Sequence, residues 1–132
     1  MASRKDWRKA ICRWQKKLLL GGYCLTLVTE KLESRDALPS YDWEVAARTE
    51  VEPHYLEARI KVNPDYLKHA TADDLDEKAT HEMIHVLLAH YDDFIDCLLE
   101  AVPPKKRAGY QAWRNRTQEF TTTHIARIVR MP

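Results

Sequence analysis

The chain has 132 residues, of which 45% are hydrophobic and 31% are charged, and its formal net charge is +1. This length and composition predict one soluble globular domain spanning residues 1–132, and they exclude a fibrous or disordered protein and a two-domain enzyme. The three cysteines have no CxxC spacing. We therefore expect neither a disulfide framework nor a cysteine zinc ribbon, and we expect a cytoplasmic location.

The charges are distributed unevenly along the chain. Residues 1–20 and residues 102–132 each carry a net charge of +6, whereas residues 21–101 carry −11. Because the basic residues are spread through amphipathic segments, we expect both ends to pack beside the acidic middle; a contact with nucleic acid through the basic termini is the alternative. The apolar stretch 18–28 is interrupted by two glycines and is too short to span a bilayer, so no membrane partner is expected.

The first predicted elements are a helix and three strands. Residues 4–20 place Trp7, Ile11 and Trp14 on one side at steps of four and three, which is typical of an amphipathic helix, and the pair Gly21 and Gly22 is expected to end it. Segments 23–29, 43–51 and 55–62 are rich in apolar residues, and the last two alternate apolar with charged residues. They predict a sheet with one buried face.

Two helices complete the predicted order. Thr71 and Asp74 form a capping-box pattern that opens a helix over about 72–101, with a bend or break near residues 90–93. A double proline at 103–104 ends it, and a last helix follows from about 106 or 109 to 129. The predicted fold is α+β, with an N-terminal helix, a small three-stranded and mostly antiparallel sheet, and two C-terminal helices.

His81, Glu82 and His85 form an HExxH motif well inside the second predicted helix, the one over about 72–101. Four residues apart on a helix, the two imidazoles lie one turn above each other and can bind one zinc ion together. Glu82 is rotated by about 100° from His81. We therefore predict that Glu82 is not a ligand and serves as the general base toward a water that the zinc activates.

A catalytic zinc site needs a third protein ligand. In one extended form of the motif, HExxH is followed by a glycine and a third histidine ligand, which here would stand at positions 88 and 91. Those positions are Leu88 and Tyr91, so this form is excluded. Glu119 is the only acidic residue after Glu100 and lies on an otherwise basic helix. If the helices were straight, His124 would lie level with the motif, whereas a bend near residue 90 would favour Glu119. We favour Glu119 and keep His124 as the alternative.

The layout resembles that of the small metallopeptidases encoded in phage and prophage genomes, relatives of minimal zincins such as the SprT-like proteins. The resemblance spans about residues 40–130 and is carried by a strand led by Trp43, the strand 55–62, the motif segment 80–88, and Glu119 followed by residues 125–127. It implies one zinc per chain held by His81, His85 and Glu119, with Glu82 as base and a protein or peptide as substrate.

The resemblance also implies a strand beside the metal that pairs with an extended substrate, and we predict the segment 55–62 for that edge. Tyr110 and His124 are candidates to stabilise the oxyanion of the reaction, although for Tyr110 we favour a role in the core or at a helix cap. The main hypothesis is hydrolysis of peptide bonds by a phage-encoded or bacterial enzyme. The alternatives are a non-catalytic, zinc-containing regulator that binds DNA or protein, and a phage accessory protein whose fold only resembles that of peptidases.

Overall fold

A computed structural model describes residues 2–32 and 45–132. The prediction that Trp43 begins a strand therefore lies outside the described residues. The elements run in chain order as helices and strands of one α+β fold. They are α1 (Arg4–Lys17), β1 (Cys24–Thr29), β2 (Ala47–Glu52), a 3-10 turn (Pro53–Tyr55), β3 (Glu57–Val62), α2 (Pro64–His69), α3 (Ala72–Leu87), α4 (Ala89–Glu100) and α5 (Pro104–Val129).

The predicted α+β class and the order of its elements are confirmed. The sheet has the order β1-β3-β2, in which β3 pairs parallel to β1 and antiparallel to β2. The sheet is therefore mixed, with one pair of each kind. The short helix α2 opens with Pro64 after an Asn63 cap and joins the sheet to α3.

The prediction that segment 55–62 forms the free edge of the sheet is wrong. β3 lies in the centre and is hydrogen-bonded on both sides, so its backbone has no side open to a substrate. The alternation of that segment is confirmed, because Ala58, Ile60 and Val62 are buried. Sequence periodicity reports which face of a strand is buried, and it does not report which strands flank it.

Helix α1 ends earlier than the glycine pair suggested. It begins at a capping box between Ser3 and Asp6 and ends at Lys17. Leu19, not a glycine, has the left-handed conformation, with φ 58°, and the glycines have no positive φ. The side-chain amide of Gln15 donates to the carbonyls of Leu20 and Tyr23, so side-chain hydrogen bonds hold this turn.

The hydrophobic core joins the inner face of the sheet to α1 and α3. Ile11, Ile60, Ala79 and Met83 have no exposed surface. Each large apolar side chain buried in this way stabilises the fold by roughly 1.5–3 kcal/mol. Since α3 lies in the middle of this core, it is a rigid support for the residues that it carries.

The predicted helix over 72–101 is divided at Leu88. The capping box of Thr71 and Asp74 is confirmed, α3 ends at Leu87 and α4 begins at Ala89, two residues before the predicted break. The last helix starts at Pro104, slightly earlier than predicted, and extends to Val129 as predicted. The break changes the register of α5 against α3 in the direction that brings Glu119 toward the motif.

Asp76 on α3 joins three helices. Its carboxylate accepts hydrogen bonds from Arg13 and Trp14 of α1 and from Arg130, which follows α5. Burial by itself would raise the pKa of the Asp76 carboxyl. The hydrogen bonds from Trp14, Arg13 and Arg130 outweigh burial and hold the pKa below its ordinary value of 3.8.

Asp76→Asn is therefore expected to lower the free energy of unfolding by about 2 kcal/mol at pH 7, because charged hydrogen bonds are lost. Since the folded-state pKa is lowered, the contribution is present above the unfolded value and disappears as the pH falls below 3.8 through the folded pKa. Urea unfolding at pH 7 and at pH 3 measures both effects. Asp65→Asn, which removes an exposed ion pair with Lys68 in the first turn of α2, is the control; equal losses in the two variants would contradict the assignment.

Among the described residues, no helix has the length and apolarity needed to cross a bilayer.

Candidate metal centre

His81 and His85 point toward one another from successive turns of α3. Their Nε2 atoms are 3.2 Å apart, and their ring centroids are separated by 4.8 Å in an edge-on arrangement. Their side chains are only 16% and 15% exposed. The one-turn spacing predicted from the sequence has therefore placed two imidazole nitrogens at one point inside a shielded site.

Glu119 reaches the two imidazoles from α5. Its Oε2 lies 3.3 Å from Nε2 of His81, and its Oε1 lies 3.3 Å from Nε2 of His85. Helix α5 packs on α3, and its residues Thr122 and Ala126, one and two turns beyond Glu119, are buried. In the part of the chain that the structure describes, these are the residues that form a cluster able to hold a metal ion, with ligand atoms within 4.8 Å of one another.

The geometry of this cluster fits a tetrahedral zinc ion. Zinc bonds to nitrogen and oxygen are about 2.0–2.1 Å long, so two ligand atoms of a tetrahedral site are roughly 3.3–3.4 Å apart. The two histidine nitrogens are 3.2 Å apart, and each lies 3.3 Å from a different oxygen of the Glu119 carboxylate, so each of these pairs has the spacing of two zinc ligands. Two imidazoles and one carboxylate are also the ligand set of one class of catalytic zinc sites, which leaves a fourth position for water or substrate.

The electrostatics of the cluster favour positive charge between the three side chains. Burial lowers the pKa of His85, but the carboxylates around it, above all Glu119, raise it by more, so the net pKa is raised. Hydrogen bonds from His81 and His85 hold the pKa of the Glu119 carboxyl far below its ordinary value. Protons and a metal ion therefore compete for the same nitrogens, and metal affinity should fall as the pH falls.

Glu82 lies beside the cluster without belonging to it. Its side chain is 4% exposed, and its Oε2 accepts a short hydrogen bond from the hydroxyl of Thr49 on β2. The carboxylate is thus held in place by a neighbouring strand and lines the same cleft as the two histidines. Sequence reasoning missed Thr49, although its place on the apolar row of a predicted strand was a signal that it points inward.

The cluster opens into a cleft of about 690 Å³. One wall is the segment 45–51, which includes most of β2; the floor is α3; and the opposite wall is formed by α4 and α5. In the described ranges β2 pairs only with β3, so β2 is the edge strand that borders the site. The strand predicted for this place was β3, and the strand found there is β2.

The other candidates from the sequence lie elsewhere. His124 is exposed, and its ring stacks on Phe120 at 6.1 Å. Tyr110 is 47% exposed and lines a second groove between α4 and α5. Neither side chain lines the cleft, so the structure gives no support to either as an oxyanion donor, and His124 is not part of the three-residue cluster.

No family model, curated protein or solved structure matches this chain.

Proposed function

We propose that the chain is a zinc metallopeptidase, in which His81, His85 and Glu119 hold the metal and Glu82 is the general base. The observation that carries the proposal is the convergence of the two histidine nitrogens, 3.2 Å apart, on the Glu119 carboxylate, whose two oxygens each lie 3.3 Å from one of those nitrogens. The buried carboxylate of Glu82 lies in the same cleft and can serve as the base of a catalytic zinc site. A purely structural zinc site would need a fourth protein ligand and no such base.

Each residue has a defined task in this proposal. Zinc, when bound, supplies a Lewis acid that polarises a carbonyl and acidifies water. The hydroxyl of Thr49 donates a hydrogen bond to Oε2 of Glu82. This leaves Oε1 as the oxygen that accepts the proton of the attacking water. Glu82 then returns this proton to the nitrogen of the leaving amine, so that the base is regenerated.

The proposed substrate is an extended segment of a protein or peptide. In the described part of the chain β2 pairs with β3 along one side, and the segment 45–51 forms one wall of the cleft. An extended chain can add to the edge of a sheet through main-chain hydrogen bonds, which bind it without selecting a particular sequence. The segment of the substrate nearest His81 and Glu82 would then contain the peptide bond that is cleaved.

A second candidate function is a non-catalytic, zinc-containing regulator that binds DNA or protein. It is favoured by the basic residues of α1, which lie on its exposed sides, while Trp7, Ile11 and Trp14 are buried. Binding of a nucleic acid through phosphates weakens steeply as salt is raised. For this function, such binding would be present and would be unchanged when Glu82 is replaced.

The proposal is tested by incubating the zinc-loaded protein with unfolded casein and separating the products by mass. We expect cleavage that a zinc chelator abolishes and that one equivalent of added zinc restores. Absence of cleavage in the zinc-loaded protein, combined with salt-sensitive DNA binding, would favour the regulator.

We also propose that the protein acts in a cytoplasm, whether it is encoded by a phage or by a bacterial host. The three cysteines are free and exposed, which suits a reducing compartment. The resemblance to phage-encoded and SprT-like metallopeptidases supports zinc chemistry through the HExxH motif, and it does not identify a substrate.

A further inference from the structure

A chain of polar side chains joins α4 to α5 along the metal cleft, and we name it the α4–α5 network. The guanidinium of Arg114 donates a hydrogen bond to Oε1 of Gln118 at 2.7 Å, and the amide nitrogen of Gln118 donates to Oδ2 of Asp92 at 2.8 Å. Arg114 also contacts the carboxylate of Asp96 at 3.1 Å. All four side chains line the cleft that contains the metal cluster.

The face of α5 that carries this network is polar. Up to residue 121, the half-buried residues of α5 recur at steps of four, three, four and three, which is the spacing of one helix face. They are Arg107, Gln111, Arg114, Gln118 and Thr121. Three of them bond to α4 or to the turn that follows it. Hydrogen bonds of defined direction therefore hold this face of α5 beside α4.

Glu119 lies between two different attachments of α5. On its C-terminal side, Thr122 and Ala126 are the buried residues of the helix. On its N-terminal side, the segment 104–118 is described in full and contains no buried residue, and the α4–α5 network ties that part of the helix to α4. The direction in which Glu119 extends therefore depends on apolar packing on one side and on the network on the other.

Gln118 and Glu119 are adjacent, but they contact different helices. Successive residues of a helix are turned by about 100° around its axis. The amide of Gln118 accordingly contacts Asp92 of α4, whereas the carboxylate of Glu119 contacts His81 and His85 of α3. A hydrogen bond that holds Gln118 against α4 therefore fixes the rotation of α5 at the point from which Glu119 extends. Since the Glu119 side chain is 61% exposed, packing around it does not fix its direction.

We propose that Gln118 is a positioning residue for the third zinc ligand. Through its bonds to Asp92 and Arg114, it holds α5 in the rotation at which both oxygens of Glu119 face the motif histidines. The inference rests on the metal centre proposed above and adds no ligand to it. Because the amide of Gln118 is uncharged, its contribution to zinc binding comes through the geometry of Glu119.

Gln118→Leu is expected to weaken zinc binding by about 10- to 100-fold, the range for residues that orient a metal ligand. Competition with a chromophoric chelator measures the affinity. Gln118 also borders the apolar groove between α4 and α5, so a leucine of similar size can be accommodated. Gln111→Leu is the matched control, since it makes the same change on the same face at an amide that donates to Asn115 of its own helix. The control should bind zinc as the wild type does.

The same substitution in a Glu119→Ala background separates positioning from a general effect on the fold. If Gln118 acts through Glu119, Gln118→Leu should cause no further loss of zinc affinity once the carboxylate is absent. A general effect on the fold would lower the affinity by the same factor in both backgrounds. Urea unfolding of the metal-free proteins shows whether the variants differ in stability.

A paired substitution tests the contact between Gln118 and Asp92 directly. Gln118→Glu places a second carboxylate against Asp92, and the repulsion between them should weaken zinc binding. Adding Asp92→Asn supplies an amide that donates to the new carboxylate. The hydrogen bond is then restored in the opposite direction, and we expect the double variant to recover most of the wild-type affinity.

Three results would overturn the positioning role. They are wild-type zinc affinity in Gln118→Leu, the same factor of loss with and without the Glu119 carboxylate, and no recovery when Asp92→Asn is added to Gln118→Glu. Each of these results leaves zinc binding by the wild type intact. A wild-type protein that binds no zinc would instead refute the metal centre, and the positioning role with it.

Discussion

Glu119→Ala is expected to lower the zinc affinity by more than about 100-fold, whereas His124→Ala is expected to leave it unchanged. Removing residues that only support a ligand already costs about 10- to 100-fold in metal affinity, so loss of a ligand itself should cost more. Glu119 contacts both motif histidines at 3.3 Å, and His124 stacks on Phe120 outside the cluster. Competition with a chromophoric chelator measures the two affinities.

His81→Ala is the positive control in this series, because it removes one of the two imidazoles. His124→Ala is the matched negative control from the same helix as Glu119. Urea unfolding of each variant shows whether lost affinity reflects an altered fold. Zinc binding that survives Glu119→Ala and disappears with His124→Ala would make His124 the third ligand.

Glu82→Gln is expected to reduce peptide hydrolysis by about 10²- to 10⁴-fold, the range that a general base contributes. The amide has nearly the shape of the carboxylate and can still accept the hydrogen bond from Thr49, but it cannot take a proton from water. Because Glu82 lies outside the ligand cluster, the variant should retain one equivalent of zinc. Cleavage rate and zinc content, measured on the same preparation, test both parts.

Glu77→Gln provides the matched control. It makes the same change on the same helix, at a side chain that is 60% exposed and contacts Arg130 at 3.6 Å. It should cleave at the rate of the wild type. Full activity in Glu82→Gln would exclude Glu82 as the base, and loss of zinc from that variant would indicate that Glu82 is a ligand.

The local features of the site could be predicted from the sequence because they depend on short spacings. His81 and His85 are four residues apart on a helix, which fixes their relation in any fold that keeps the helix. Thr71 and Asp74 likewise fix where that helix begins. The position of Glu119 is harder to predict, since it depends on the break at Leu88; the sequence leaves Glu119 and His124 as alternatives, and only the argument that a bend favours Glu119 separates them.

Features that depend on contacts distant in sequence could not be predicted in the same way. Residues 55–62 alternate as a half-buried strand does, yet alternation is the same for an edge strand and a central one, so the edge assignment was wrong. The hydrogen bond between Thr49 and Glu82 joins residues 33 positions apart. The prediction that the glycine pair ends α1 was wrong for a different reason, because local side-chain hydrogen bonds from Gln15 to the carbonyls of Leu20 and Tyr23 hold the turn.

The most direct measurement of the metal site is an anomalous difference map, recorded at the zinc absorption edge from crystals loaded with one equivalent of zinc. We predict one peak per chain, about 2.0–2.1 Å from Nε2 of His81 and of His85 and bonded to the carboxylate of Glu119. A map with no peak between these side chains, or with its peak at other residues, would contradict the proposed zinc centre.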